Sequence, residues 1–379
     1  MNELLPFVAE LPLIDHHCHG VVTQEVDHDG FERMLTEADT VSPLGTSLFD
    51  SLVGLAVRER CAPVLDLPKH APAVDYLARR AELGAEEVNR RFLRGTGTTD
   101  FLLDGGFQPE SLTSTGEFAA LAGARAHDVV RLEQVAEDVV RGGTTAAGFV
   151  ADFGEELGKR AATAVGLKSI AAYRVGLELS GERPTDTEVA GAAGRWLARV
   201  AGGAPVRLAD EVLHRHLVFA GLDLGLPVQF HVGYGDSDVD LHRCDPLLLT
   251  GLLRATRGCG VPILLLHNYP FHRNAAYLAQ VFEHVFVDAG LITHNAGFRA
   301  PAVLAEVLEL VPFGKLLFST DAFGLAELYH LGTSLFRQGL SDFLRGALAA
   351  DALSEVDAVR LARLAGHENA ARIYRLEPR

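Results

Sequence analysis

The sequence predicts an α/β chain folded as a (β/α)8 (TIM) barrel, with a helical cap inserted after the first strand and a helical tail at the C-terminal end. Three observations carry this expectation. Short apolar runs alternate with helical stretches along the 379 residues, and eight strands with intervening helices make a closed parallel barrel. Several runs are almost continuously apolar, as in Val261-Pro262-Ile263-Leu264-Leu265-Leu266, which suits parallel strands buried on both faces. Polar groups follow the late runs directly: His231 after Phe230, His267 after Leu266 and Asp321 after Thr320. In a parallel barrel such positions meet at the C-terminal rim of the strands.

The expected strands are 11–15, 99–104, 129–135, 165–172, 227–232, 262–267, 284–289 and 315–320. Helical patterns between them cover 117–126, 144–164, 187–200, 208–224, 245–256, 274–283 and 300–310. Two amphipathic stretches, 47–60 and 74–92, fall between the first two strands, within an insertion at about 40–96. Chain inserted there emerges on the C-terminal face, so it is expected to cap the pocket and to serve as a subunit contact. The helical tail is expected over 341–374. No long Gly-, Ser- or Pro-rich linker divides the chain, so one domain over 1–379 is expected.

Composition narrows the function classes. The formal net charge is −16 and the pI is near 5.4, the wrong sign for a nucleic-acid partner. No apolar run approaches the ~20 residues of a membrane span, and no secretory signal pattern is visible. The expectation is a cytoplasmic homo-oligomer, a dimer, acting on a small-molecule substrate with neither membrane nor nucleic acid. Cys18, Cys61, Cys244 and Cys259 are scattered without a CxxC pair, so they are expected to stay reduced.

The chemistry begins at Leu13-Ile14-Asp15-His16-His17-Cys18-His19-Gly20. His17 and His19 share strand parity and so face one side. Cys18 has the opposite parity and is expected in the core, and His16 is expected to support the pair from behind. With His231, His267 and Asp321, five metal-competent groups converge on one rim. Any one such histidine is more often a core or capping residue; five in this order and setting are not expected by coincidence. Three histidines and a carboxylate suit zinc, with manganese or iron as alternatives. Zinc lowers the pKa of its water to about 7. Asp321 can take that water's proton and pass it to a leaving group, and His267 can polarise a substrate carbonyl or position the water.

Other residues fill the pocket. Lys168 falls on the fourth expected strand, and Arg174 shares its parity there. Arg174 can clamp a carboxylate through its planar fork, and Tyr173 can donate a hydrogen bond. Glu133 and Gln134, near the end of the third expected strand, are weaker pocket candidates. Glu327 is expected on a helix surface, and most remaining histidines, His294 among them, are expected to be solvated or structural.

On Asp15, His17 and His19 as a D-x-H-x-H run, followed in order by His231, His267 and Asp321, the chain resembles the amidohydrolase superfamily over almost its whole length. It is more narrowly similar to the branch that includes amino-carboxymuconate-semialdehyde decarboxylase-type enzymes. Within that branch, 166–177 and 318–329 resemble the amidohydrolase domains associated with glutamine-synthetase-like proteins. The resemblance implies a single Zn2+ held by His17, His19, His231 and Asp321, with His267 beside it. A second arrangement stays open: a binuclear centre bridged by carbamylated Lys168, with His231 and His267 on the other ion. The expected activity is metal-dependent hydrolysis of an amide or other C–N bond in a small carboxylate-bearing substrate. A γ-glutamyl amide is one candidate, with Lys168, Arg174 and Tyr173 as substrate-binding residues. Two alternatives remain open: non-oxidative decarboxylation at the same site, and a metal-binding regulatory module beside a glutamine-synthetase-like partner.

Overall fold

A computed structural model describes residues 3–38, 40, 42–106 and 112–377. Seven parallel strands pair in chain order to form one curled sheet: β1 (Leu13–Cys18), β2 (Thr98–Asp104), β3 (Arg125–Arg131), β4 (Gly166–Ser169), β5 (Val228–Val232), β6 (Ile263–His267) and β7 (Val285–Val287). Helices join successive strands and cover the outside. Residues 316–321 take the eighth place. Leu317 N–H donates to Val287 O at 2.9 Å, His16 N–H to Phe318 O at 3.1 Å, and Asp321 N–H to His17 O at 3.0 Å. These bonds link β7 to β1, but no regular ladder closes the barrel, because the buried Asp15 carboxylate takes the Thr320 N–H at 2.9 Å and its hydroxyl at 2.5 Å.

β1, β3 and β4 end elsewhere than expected, and β7 stops two residues early, at Val287. β1 extends through Cys18, with its six residues buried, and its register against β2 shifts between Asp15 and Cys18. Such an irregularity re-aims side chains, and here both His16 and His17 turn inward while Cys18 joins the apolar packing under the cap. β3 stops at Arg131, and Leu132–Arg141 is a helix. Glu133 and Gln134 are therefore helical rather than at a strand end. Glu133 is buried and accepts from the Ser169 hydroxyl at 2.7 Å and Ile170 N–H at 2.9 Å, while Gln134 donates to Asp138 at 2.8 Å. By capturing the Ile170 N–H, Glu133 ends β4, and a 3-10 turn over Ala171–Tyr173 follows. Lys168 and Arg174 consequently do not share a strand.

Ile14, Leu102, Leu264, Leu266, Phe286 and Leu317 fill the barrel interior, and Ala370, Ile373 and Tyr374 plug it from below. These three come from the chain's last described helix, Asn369–Ile373, and the residue after it. The insertion after β1 is helical, as expected. Its two longer helices, Ala73–Leu83 and Ala85–Gly95, break at Gly84, whose φ of 78° is open to glycine.

The helix after the eighth segment runs Ala326–Ala349, starting well before the expected tail. Its Glu327 is buried rather than on a surface: it accepts from Arg80 Nε at 2.8 Å and the Tyr76 hydroxyl at 3.0 Å. The cap is thereby fastened to the barrel. Among the described residues, no helix is long and apolar enough to cross a membrane.

Candidate metal centre

A cavity of about 370 Å³ opens where the strands end. His17, His19, Lys168, His231, His267 and Asp321 all line it, as do Tyr173 and Arg174. The donor atoms of His17, His19 and Asp321 lie within 4.8 Å of one another. His17 Nε2 is 3.1 Å and His19 Nε2 is 3.4 Å from Asp321 Oδ1, and His267 Nδ1 is 3.2 Å from Asp321 Oδ2. His231 stands beside His267, with ring centroids 4.7 Å apart. His231 Nε2 and His267 Nδ1 are buried without a hydrogen-bond partner.

Neighbours fix the histidine tautomers. Gln229 donates its amide to His16 O and to the Tyr374 hydroxyl, each at 2.8 Å. Its oxygen therefore faces His17 Nδ1, at 2.9 Å, and accepts the ring proton there. His19 Nδ1 meets the Asp104 carbonyl at 3.2 Å, and a carbonyl can only accept. Both rings thus carry their proton on Nδ1 and aim an Nε2 lone pair at Asp321 Oδ1. Two lone pairs and a carboxylate oxygen converging on one point repel unless a cation or proton lies between them. This donor set fits a divalent transition metal, and the bonds behind it are those that orient metal-binding imidazoles.

Behind the site, the Tyr374 hydroxyl accepts from Gln229 and so donates to His16 Nδ1 at 3.0 Å, and His16 Nε2 donates to Asp288 Oδ2 at 2.8 Å. Asp288 also holds the His267 N–H at 2.7 Å. His267, Asn268 and Asp321 all have positive φ, at 68°, 65° and 51°, a strain that persists only where surroundings over-determine it. Asp288 supplies that at His267. Asn268 supplies its own, with its amide on the Leu265 and Asp288 carbonyls at 2.6 and 3.1 Å.

Burial and charge set the protonation states. Burial and the Lys168 ammonium push His17 down to about 4. Burial likewise holds His231 and His267 well below the usual imidazole range, so these rings stay neutral and free to bind metal. Burial pushes Asp321 upward, but a proton or cation shared with His267, His17 and His19 outweighs it and holds the carboxyl well below its usual range. Burial lowers Lys168 to about 8, and its Nζ is 3.4 Å from His17 Nε2.

Tyr173 packs on His231 with centroids 4.4 Å apart. Arg174 has Nη1 3.5 Å from Glu137, and its Nε and Nη1 make no hydrogen bond. Arg131 and Asp104 also line the cavity, paired at 2.6 Å. Both end strands after apolar residues: Asp104 closes β2 where the sequence already put its end, and Arg131 would have been found by the same rule had β3 been given its true end. His294 lines the cavity as well, buried and lowered to about 4 by that burial, with Nδ1 unpartnered. It is a pocket residue rather than a solvated one, and no apolar run marks it. Glu37 reaches the cavity from the cap, where no sequence signal pointed.

A family model described as amidohydrolase matches residues 112–376. Protein fluG of Emericella nidulans is 28% identical over 384 residues, covering 90% of this chain and 43% of that protein. The chain thus spans less than half the length of this curated relative. Among solved structures, a protein of Lactobacillus casei assigned as a metal-dependent hydrolase has a TM-score of 0.87 at 30% identity, with 99% of this chain and 98% of that one covered. A uronate isomerase of Bacillus halodurans shares the fold, with a TM-score of 0.66 at 15% identity over 98% and 95% of the two chains. The family match takes in β3 to β7, with His231, His267 and Asp321, and the Lactobacillus likeness extends it over β1, the cap and β2: the chain belongs to the amidohydrolase family.

Proposed function

We propose that the chain is a metal-dependent hydrolase that cleaves an amide or other C–N bond in a small carboxylate-bearing substrate, with a γ-glutamyl amide as the first candidate. The observation carrying this reading is the convergence of His17 Nε2, His19 Nε2 and Asp321 Oδ1 at the floor of a cavity whose wall bears Lys168 and Arg174. His17, His19, His231 and Asp321 would hold one ion, with Zn2+ favoured over Mn2+. When bound, the ion supplies a Lewis acid and a water of lowered pKa. Asp321, ionised across the neutral range, accepts the proton of the attacking water. His267, pinned through its backbone by Asp288, orients the scissile carbonyl. Arg174, on the cavity wall, binds the substrate carboxylate, and Tyr173 adds a hydroxyl donor.

The test is a panel of γ-glutamyl amides incubated with metal-loaded protein, followed for released amine and for carbon dioxide. Amine release is the expected result. Carbon dioxide from carboxylate substrates would replace this reading with a lyase. Metal binding without turnover, together with capture of a glutamine-synthetase-like protein, would replace it with a regulatory module.

A further inference from the structure

Cap and barrel enclose a second cavity, of about 540 Å³, beside the one that holds His17, His19 and Asp321. Leu35, Thr36 and Asn295 line both, so the two spaces share a wall. That wall is the single helical turn Ile292–Asn295 together with the cap residues Leu35 and Thr36. Leu291 and His294 line the metal cavity, whereas Ile292 and Ala296 line the second one. Residues three or four apart share a helix face, so this turn gives one side to each space. The cap is seated tightly against it: Gly297 has a φ of 50°, and a Cβ there would lie 2.6 Å from the Leu52 carbonyl oxygen.

The two spaces differ in chemistry, and the barrel sets their poles apart. In a ring of eight strand positions, β3 lies across from β7 and β4 across from the eighth segment. Arg131, Lys168 and Arg174, cationic groups of the metal cavity, come from the end of β3, from β4 and from the turn after β4. The second space is built beyond β7, on Ile292, Ala296 and the helix Ala300–Val307, and Leu48, Leu52 and Val53 of the cap close it. Tyr234 and Tyr269 add two aromatic rings from the chain after β5 and β6, tied by the Tyr234 N–H on the Tyr269 carbonyl at 2.7 Å. Its carboxylate, Glu306, is already engaged by His272 Nε2 at 2.6 Å and Arg273 Nη1 at 3.3 Å. The ligand cluster, from β1, β5 and the eighth segment, lies between a cationic pole and a largely hydrocarbon one.

A substrate with its carboxylate on the β4 side and its scissile bond at the ligand cluster carries its other half toward β7. We propose that the second cavity seats the leaving amine, and that this amine bears a bulky aromatic group. The proposal rests on the amide-hydrolase reading above and narrows the substrate to an arylalkylamide. Hydrolysis puts the hydroxyl of water on the acyl carbon and its hydrogen on the nitrogen as the C–N bond breaks. The acid product is then left by Lys168 and Arg174 and the amine in the apolar space. An aromatic ring gains burial against hydrocarbon there, and edge or offset contact with Tyr234 and Tyr269, which a methyl group does not.

The experiment compares γ-glutamyl-2-phenylethylamide with γ-glutamylmethylamide in wild type and Ala302→Trp. Ala302 lines the second cavity and not the first, and an indole there fills the space. Wild type is expected to show a kcat/KM about 10-fold or more higher on the aryl amide, and Ala302→Trp to bring the two substrates within about 3-fold of each other. Val303→Trp, at the next position, repeats the comparison should Ala302→Trp not fold. Wild-type values for the two amides within about 3-fold, or equal variant losses on both, would overturn the assignment. Calorimetry on chelator-treated protein, with N-(2-phenylethyl)acetamide against N-methylacetamide, gives a readout that needs no turnover. Binding of the aryl probe about 10-fold or more tighter in wild type, lost in the variant, is expected, and equal binding of the two probes overturns the seat. Should wild type cleave neither γ-glutamyl amide yet bind the aryl probe in this way, the hydrolase reading fails and the aromatic-binding cavity stands.

Discussion

The Gln229 carboxamide oxygen accepts the Nδ1 proton of His17 at 2.9 Å, and the same side chain donates to His16 O and to the Tyr374 hydroxyl. One buried amide thus decides which His17 nitrogen faces the cavity. Replacing it leaves His17 able to flip its tautomer and orphans two further polar groups. Gln229→Leu is expected to weaken zinc binding about 10–100-fold, the usual cost of losing a bond behind a ligand. Chelator competition measures this; unchanged affinity would remove Gln229 from the account.

Asp321 touches three histidines and stays ionised across the neutral range. Asp321→Asn keeps the shape but removes both the charge and the proton acceptor. A fall in kcat of about 10³-fold or more is expected, with weaker metal retention. Activity within ten-fold of wild type would exclude the proposed role.

Lys168 decides the number of ions. Its buried amine, lowered to about 8, has a neutral fraction at mildly alkaline pH. The single-ion reading expects one metal equivalent per chain in wild type and the same in Lys168→Met. Two equivalents falling to one in the variant, with a carbamate seen on Lys168, would reverse it.

His294 is buried with its folded pKa at about 4 against an ordinary 6.5. Between those values the unfolded chain binds the proton and the folded one does not. The stability this ring contributes is therefore full above pH 6.5 and lost as pH falls toward 4, on the order of 3 kcal/mol in all. Thermal unfolding of chelator-treated protein between pH 7 and 4 is expected to show a falling Tm, and His294→Asn a shallower fall. Parallel curves for the two proteins would contradict this.

The Arg80–Glu327 pair, 2.8 Å apart and buried, joins cap to barrel. Breaking it from one side strands a charge, so Glu327→Gln is expected to cost about 3–5 kcal/mol. The double variant Arg80→Met, Glu327→Leu should lose much less. Denaturant unfolding separates the two cases, and equal losses would mean the ion pair is not what holds the cap.

What the sequence made legible was the register of the late strands. His231 and His267 each follow an apolar residue in the last positions of β5 and β6, so they could be placed by pattern alone. β1 was harder: the shift between Asp15 and Cys18 breaks strict alternation, and His16 turns inward beside His17. β3 and β4 were misplaced because Glu133, a distant side chain, ends β4, and apolar residues continue from β3 into the next helix. That slip hid Arg131 and gave Arg174 a strand it does not have. Glu37 reaches the cavity from a loop and His294 from the short helix Ile292–Asn295, and neither segment is long enough for periodicity to mark a direction. Glu327 lay in plain sequence view, but its burial depends on Arg80 in the cap, nearly 250 positions away.

Tyr374 lies 358 positions from the His16 it bonds. Within this chain, β1 with His17 is made long before the hydroxyl that orients its support. The floor under the ligand cluster can therefore be set only once the 369–373 helix and Tyr374 have docked, so the geometry of the ligand rings waits on a contact between distant parts of the chain.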